Sequence, residues 1–400
     1  MAADLSALLQ PATTHIVLVV MDGLGGYADA TRGSELEEAA TPNLDRLAAA
    51  GSSGLLEPCG AGITPGSGPA HLALFGYDPF EYVLGRGALS AAGLDVELKP
   101  GDVAARANLA TLDVDGRIVD RRAGRPTDAQ GEAAVAALAK GVAVDGVTVT
   151  FVHEAQHRVL VVLRGPDLDP DVADTDPQAV GLPPRPPVAR SPEAERTAEV
   201  VVEVDRQARA VLADLGGPGN ALLLRGFDSH QELPTMADRY GLTAAAVAIY
   251  PMYRGLARLV GMDVLGPPAN LAAQLRLAAD HWATHDYLFV HHKGTDSAGE
   301  DGDFGAKVAA IEQLDAAMPD LVGLDPDVLI VTGDHATPSQ MAAHSWHAVP
   351  TLIWGPRVGR DPVTSFGESA CLGGAVGRRP SSDLMAIALA GAGRLAKYGA

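Results

Sequence analysis

The chain has 400 residues, of which 47% are apolar and 20% charged, with a formal net charge of −20. That length favours two domains, or one domain carrying a large insertion. The acidic excess argues against nucleic acid or an anionic membrane surface as partner, and the longest apolar run, Ile16 to Met21, is far too short to cross a bilayer.

The amino-terminal stretch carries Asp4 and no Lys or Arg before Ile16, so no secretory signal is expected and the chain reads as cytoplasmic. The apolar run Ile16 to Met21 ends in Asp22 and is followed by Gly-Leu-Gly-Gly. Its continuity predicts a strand buried on both faces, as in parallel sheets. A carboxylate at such a strand end can reach a metal where glycines let the backbone come close, although ordinary turn chemistry fits the same residues. Thr41, Pro42 and Gly51 then mark the cap, first position and end of a helix. Cys59 and Cys371, the only cysteines, suit buried thiols of a reducing compartment.

Between Gly62 and Pro79, Gly66 and Gly68-Pro69 set Ser67 at the mouth of a helix running toward Gly76. Two jobs fit this serine. It can be the N-cap, or it can be a nucleophile beside free backbone N–H groups that favour a phosphate oxyanion.

The middle of the chain changes character. Arg106 to Leu112 and Arg117 to Val119 read as a hairpin around Asp115-Gly116, and Val147 to Val152 pairs with Val159 to Leu163 in a second. The Pro/Asp-rich stretch from Gly165 to Pro192 reads as a loop and a candidate mobile segment. Buried-strand patterns lie on both sides of this middle part. The simplest topology is therefore an α/β domain made of residues 1–88 and 266–400, interrupted by a second, inserted α+β domain of residues 89–265.

Two more buried strands follow. Tyr287 to His292 leads into Lys293-Gly-Thr-Asp296-Ser-Ala-Gly-Glu300, and Val328 to Thr332 into Gly-Asp334-His335, with His344 nine residues beyond. The first acidic run could be a solvated loop. Taken together, separated strand ends offering carboxylates and imidazoles supply donors suited to Zn²⁺ or Mn²⁺, and in open α/β sheets ligands collect at the carboxyl ends of strands. A final apolar helix is expected near Asp383 to Leu389.

Met-Asp22-Gly, Pro-Gly-Ser67, Gly-Thr-Asp296-Ser-Ala-Gly, Gly-Asp334-His335 and His344-Ser together resemble the alkaline phosphatase superfamily, specifically its archaeal-type cofactor-independent phosphoglycerate mutases. The resemblance is ordered and nearly full length, and includes Asn108-Leu-Ala-Thr, Asp120-Arg-Arg-Ala-Gly-Arg125, His157-Arg158, Leu-Leu-Arg225-Gly and Tyr-Pro-Met-Tyr253-Arg254-Gly. It implies an alkaline-phosphatase-like α/β sandwich with a mainly parallel sheet. It implies one divalent metal held by Asp22, Ser67, Asp334 and His335 and a second held by Asp296, residue 300 and His344, with Mn²⁺, Zn²⁺ or Co²⁺ favoured over Mg²⁺. Ser67 would be the nucleophile that carries a phosphoserine, and Lys293 would neutralise phosphoryl oxygens.

The substrate implied is a small phosphorylated carboxylic acid, gripped by arginines of the insertion: Arg122 and Arg125 foremost, with Arg158 and Arg106. A homo-oligomer is compatible with the chain. Four departures from the family stand out: Glu300 where histidine is usual, Ala348 in place of a proline, His347 at a position often acidic, and Gly266-Pro-Pro-Ala-Asn in place of a threonine/glycine-rich stretch. A phosphate or phosphonate hydrolase, a mutase of another phosphorylated metabolite, and a non-catalytic metal-stabilised binding protein are the competing readings.

Overall fold

A computed structural model describes residues 5–230 and 232–399. In chain order its strands are β1 (Ile16–Met21), β2 (Ser52–Glu57), β3 (Val103–Leu112), β4 (Ile118–Asp120), β5 (Thr148–Ala155), β6 (Arg158–Arg164), β7 (Ala221–Ser229), β8 (Ala244–Val247), β9 (Asp263–Leu265), β10 (Tyr287–His292), β11 (Val328–Thr332), β12 (Val349–Trp354) and β13 (Gly377–Pro380). The chain divides into two compact units, one of Met1–Val83 with Leu233–Ala400 and one of Leu84–Glu232. Among the described residues no helix is long and apolar enough to cross a membrane.

The first unit is a mainly parallel eight-stranded sheet in the order β13-β2-β12-β11-β1-β10-β8-β9. Its central strand, β1, pairs in parallel with β10 on one side and β11 on the other. Every residue of β1 is buried, because helices cover both faces. Leu44 and Leu47 of the helix Pro42–Ala50, with Ile311, Leu314 and Met318 of Phe304–Val322, pack with Val17, Val19, Leu288 and Val290 on one face. Against the other face, Phe75 meets Phe289 edge-on at 5.0 Å. With both faces covered there is no solvent side to select polar residues, and each buried aliphatic side chain contributes roughly 1.5–3 kcal/mol. The register sets Met21 beside His292 and Val20 beside Thr332, so the segments after β1, β10 and β11 leave the sheet at one edge.

The expected second crossing near 265 lies too late. Residues 233–265 belong with the large sheet, where β8 pairs in parallel with β10 and β9 extends the edge.

The second unit is an antiparallel sheet in the order β4-β3-β6-β5, with β7 also paired to β3. Val103, Ala105, Ala107 and Leu109 of β3 face a core shared with the helices Asp128–Gly141 and Glu195–Leu215. Alternation therefore turns Arg106 and Asn108 to the opposite face. The 165–192 segment is not loose: Val172, Thr175 and Asp176 are buried, Thr175 exchanges hydrogen bonds with Leu224 of β7, and Val172 bridges to Ala189.

Candidate active site

Asp22 continues the β1 ladder, its N–H donating to the His292 carbonyl at 2.9 Å, and then the chain turns sharply. Gly23 has φ +64°, and a Cβ there would stand 2.6 Å from Thr337 Oγ1 and 2.7 Å from Asp296 Oδ1. Only glycine lets these strand ends converge. The Gly23 N–H donates to Asp334 Oδ1 at 2.9 Å, which ties the β1 and β11 exits together.

Ser67 is not the N-cap. The cap of the helix Ser67–Leu74 is Gly66 and Ser67 is the first helical residue, with no side-chain capping bond. Its hydroxyl instead lies 3.1 Å from His335 Nε2. Likewise the acidic run after β10 is not a loop but the short helix Gly294–Glu300, which puts Asp296 and Glu300 on one face.

Hydrogen-bond accounting fixes both imidazoles. The single Thr337 hydroxyl proton goes to Asp296 Oδ1 at 2.7 Å, so Thr337 Oγ1 accepts from His335 Nδ1 at 3.0 Å. His344 Nδ1 likewise donates to the Pro65 carbonyl at 3.0 Å. In the neutral form each ring therefore has its acceptor nitrogen, Nε2, facing inward. His335 Nε2 faces Asp334 Oδ2 at 3.2 Å and Asp22 Oδ1 at 3.3 Å, and His344 Nε2 faces Asp296 Oδ1 at 3.6 Å and Glu300 Oε1 at 3.7 Å.

Lone pairs pointed at carboxylates repel unless a cation lies between them. Asp22 Oδ1 and Asp334 Oδ2 are buried without a hydrogen-bond partner, and Asp22–Asp334–His335 and Asp296–His335–His344 each form a group of donors close enough to hold a metal ion. The donor chemistry of this chain thus fits divalent metals. Glu300 stands at the rim, with its side chain 57% exposed. Of the other acids and imidazoles nearby, Asp303 caps the helix Phe304–Val322 and His347 Nδ1 contacts Ser345 Oγ at 2.9 Å.

Charge is balanced on the β10 side. Lys293 Nζ lies 2.9 Å from Asp22 Oδ2 and also bonds Asp296. Burial opposes ionisation of Asp22, but His291, Lys293 and His335 outweigh it and hold the carboxyl well below its ordinary range. Burial likewise works against Lys293, whereas Asp22 and Asp296 hold its ammonium above the ordinary lysine value. For His335, burial dominates and keeps the ring neutral.

Beneath this cluster, the fully buried Lys307 donates to the Gly25 carbonyl at 3.0 Å and the Thr337 carbonyl at 2.8 Å, with Glu35 Oε2 at 3.9 Å. It clamps the loop after Asp22 to the loop after His335.

The second unit gathers arginines. Arg106 of β3 is the cross-strand partner of Arg225 on β7, and Asn108, two residues on, is the partner of Arg158 on β6. Those pairings put the three guanidinium side chains on the sheet face away from the helical core. Arg122 and Arg125 stand in a left-handed turn, Ala123 φ 46°, Gly124 φ 70°, Arg125 φ 54°, in which Asp120 accepts from the N–H groups of Arg122 at 2.7 Å and Gly124 at 2.6 Å. His157 is buried, and after burial itself the charges of Arg158, Arg122, Arg106 and Arg125 push its imidazole down to about 4. The four arginines singled out in the sequence thus share one locality. Arg86 joins them, pushed down to about 10 by burial and by Arg106 and Arg225. Arg225 stands in the sequence only within the Leu-Leu-Arg225-Gly motif and gains its place from strand register, whereas Arg86, at the start of the helix Arg86–Gly93, carried no sequence signal. Arg121, adjacent to Arg122, is instead neutralised by the buried Asp176 at 2.5 Å.

The family model described as 2,3-bisphosphoglycerate-independent phosphoglycerate mutase matches residues 48–216. A probable 2,3-bisphosphoglycerate-independent phosphoglycerate mutase of Thermus thermophilus is 47% identical over 99% of this chain and 98% of its own. One from Deinococcus radiodurans is 46% identical over 98% of each. Among solved structures, a Pyrococcus horikoshii protein superposes with a TM-score of 0.83 at 28% identity, covering 97% of this chain and 99% of that one. The cofactor-independent phosphoglycerate mutase of Thermoplasma acidophilum gives 0.71 at 32% identity, covering 95% of this chain and 100% of that one. With coverage this near complete in both directions and identities this high, the chain belongs to the 2,3-bisphosphoglycerate-independent phosphoglycerate mutase family.

Proposed function

We propose that this chain interconverts 3-phosphoglycerate and 2-phosphoglycerate by passing the phosphoryl group through Ser67. The observation that carries the reading is the Ser67 hydroxyl, set at the first position of a helix and 3.1 Å from His335 Nε2. Asp22, Ser67, Asp334 and His335 would hold one divalent cation and Asp296, Glu300 and His344 the other, with Mn²⁺, Co²⁺ or Zn²⁺ preferred to Mg²⁺ because imidazole joins carboxylate in both sets. When bound, such ions supply charge that lowers the pKa of a hydroxyl and neutralises phosphoryl oxygens.

The chain's own groups do the rest. Ser67 Oγ gives up its proton and forms a bond to phosphorus as the bond from phosphorus to the glycerate oxygen breaks, and that oxygen takes up a proton to become a hydroxyl of free glycerate. The backbone N–H groups of the first helical turn and the Lys293 ammonium accept the charge spread over the phosphoryl oxygens. Arg122 and Arg125, with Arg106 and Arg158, grip the glycerate carboxylate while it reorients, and its other hydroxyl takes the phosphoryl group back from Ser67.

The test is conversion of 3-phosphoglycerate to 2-phosphoglycerate by metal-loaded protein without added 2,3-bisphosphoglycerate. Conversion that stops on chelation and returns with Mn²⁺ supports the reading. Release of inorganic phosphate in place of 2-phosphoglycerate would make the protein a hydrolase and sink it.

A further inference from the structure

Tyr253 belongs to the Tyr-Pro-Met-Tyr253-Arg254-Gly motif, which by itself assigns it no role. It lies in the helix Pro251–Leu259 and is 1% exposed. Its ring stacks on His291 at 3.7 Å between centroids and tilts against His71 at 4.8 Å. An aromatic so packed would ordinarily be core filler, but its hydroxyl is aimed at the site and donates to Asp22 Oδ2.

The two oxygens of Asp22 live in different surroundings. Oδ2 receives the Tyr253 hydroxyl and the Lys293 ammonium at 2.9 Å, and His291 Nε2 approaches at 3.3 Å. Two strong donors fill its two lone pairs. Oδ1 is buried without a hydrogen-bond partner, and His335 Nε2, 3.3 Å away, presents in its neutral form a lone pair rather than a proton. One oxygen is saturated and the other is left bare toward the centre of the cluster.

We propose that Tyr253 is a positioning residue that makes Asp22 a one-oxygen ligand, holding Oδ2 out of the site so that Oδ1 alone is presented to the cation. This rests on the reading of Asp22 as a ligand. Lys293 cannot do the job alone, because its ammonium is shared with Asp296 and its stem is partly exposed. The phenol is rigid, fully buried and neutral, so it fixes the carboxylate without adding charge that would oppose the cation. With the hydroxyl gone, Asp22 could rotate and offer either oxygen, and the ordering would have to be supplied on binding.

The test is Mn²⁺ binding to metal-free protein, read by competition with a fluorescent chelator, for Tyr253→Phe, Tyr253→Leu and Asp22→Ala. Loss of an outer partner of a ligand typically weakens metal affinity about 10–100-fold. The expected result is that loss at one of two sites in Tyr253→Phe, which keeps the ring and its stack on His291, with the other site unchanged and turnover restored by excess Mn²⁺. Unchanged binding in Tyr253→Phe with weakened binding in Tyr253→Leu would reduce the residue to packing and overturn the proposal, as would equal weakening of both sites. If Asp22→Ala keeps both sites at wild-type affinity, the ligand reading itself fails; if it loses one while Tyr253→Phe loses nothing, only the Tyr253 assignment fails.

Discussion

Ser67 Oγ and His335 Nε2 approach to 3.1 Å although they leave the chain 268 positions apart, one at a helix mouth and the other just beyond β11. Because Ser67 is neither a cap nor buried core, Ser67→Ala should abolish mutase turnover while moving stability by no more than about 0.5 kcal/mol. Phosphopeptide mapping of quenched wild-type enzyme should find the phosphoryl group on Ser67. Turnover by the alanine variant at even a tenth of the wild-type rate would end the phosphoserine route.

Glu300 closes the short helix Gly294–Glu300 that starts beside Lys293, one turn beyond Asp296. Glu300→Ala should lose one of two bound metals and most activity. Glu300→His should keep both and move preference from Mn²⁺ toward Zn²⁺, nitrogen being the softer donor. Metal content per chain decides it: two ions at unchanged affinity in the alanine variant would return Glu300 to the solvent.

For Arg122→Ala and Arg125→Ala, a charge-assisted bond worth roughly 1.5–3 kcal/mol is removed. Mutase turnover should fall about tenfold to a hundredfold, while phosphoserine still forms and phosphate leakage rises. Wild-type turnover without leakage in both variants would clear these two residues of the glycerate grip.

His157 gives the arginine face a pH signature. The unfolded imidazole takes its proton near 6.5 and the folded one only near 4, so between those values the unfolded chain binds more protons. The stability associated with the neutral ring is complete above that window and is lost as pH falls through it. His157→Asn should remove this acid-side loss. In an NMR titration the His157 midpoint should lie near 4 and rise when inorganic phosphate screens the guanidinium charges; a midpoint near 6.5 without phosphate would contradict the clustering.

Lys307→Met keeps the stem but leaves the Gly25 and Thr337 carbonyls without their charged donor and Glu35 without its cation. Breaking a buried pair from one side costs about 3–5 kcal/mol. A clear drop in thermal midpoint is expected even for metal-free protein, together with weaker metal binding, since both loops carry donors. An unchanged midpoint would show that water replaces the ammonium.

The strands β1, β10 and β11 could be read from the sequence to the residue, because a strand covered on both faces must be an unbroken apolar run and the run stops where the chain reaches the site. The metal-competent side chains were legible for the same reason: each follows such a stop. What was not legible depends on register and packing. Ala244–Val247 is mostly alanine, which carries no strand preference, so nothing in the sequence separates β8 from the insertion and the second crossing reads too late. Tyr253 resembled core filler because only the direction of its hydroxyl distinguishes it. Strand pairing set Arg225 beside Arg106, and Arg86 became visible only when the fold brought its helix up to both.

The place of β1 in its sheet bears on how the chain is made. Its two neighbours, β10 and β11, begin at Tyr287 and Val328, so this apolar strand leaves the ribosome with neither edge partner yet synthesised. At roughly 5–20 residues per second, the wait before both edges can be filled is on the order of fifteen seconds to a minute. The antiparallel unit of Leu84–Glu232 is complete in sequence well before then and can close by itself. Nascent chains stalled between residues 232 and 287 should therefore hold a folded arginine-bearing unit beside an unpaired β1, the segment most in need of a chaperone during synthesis.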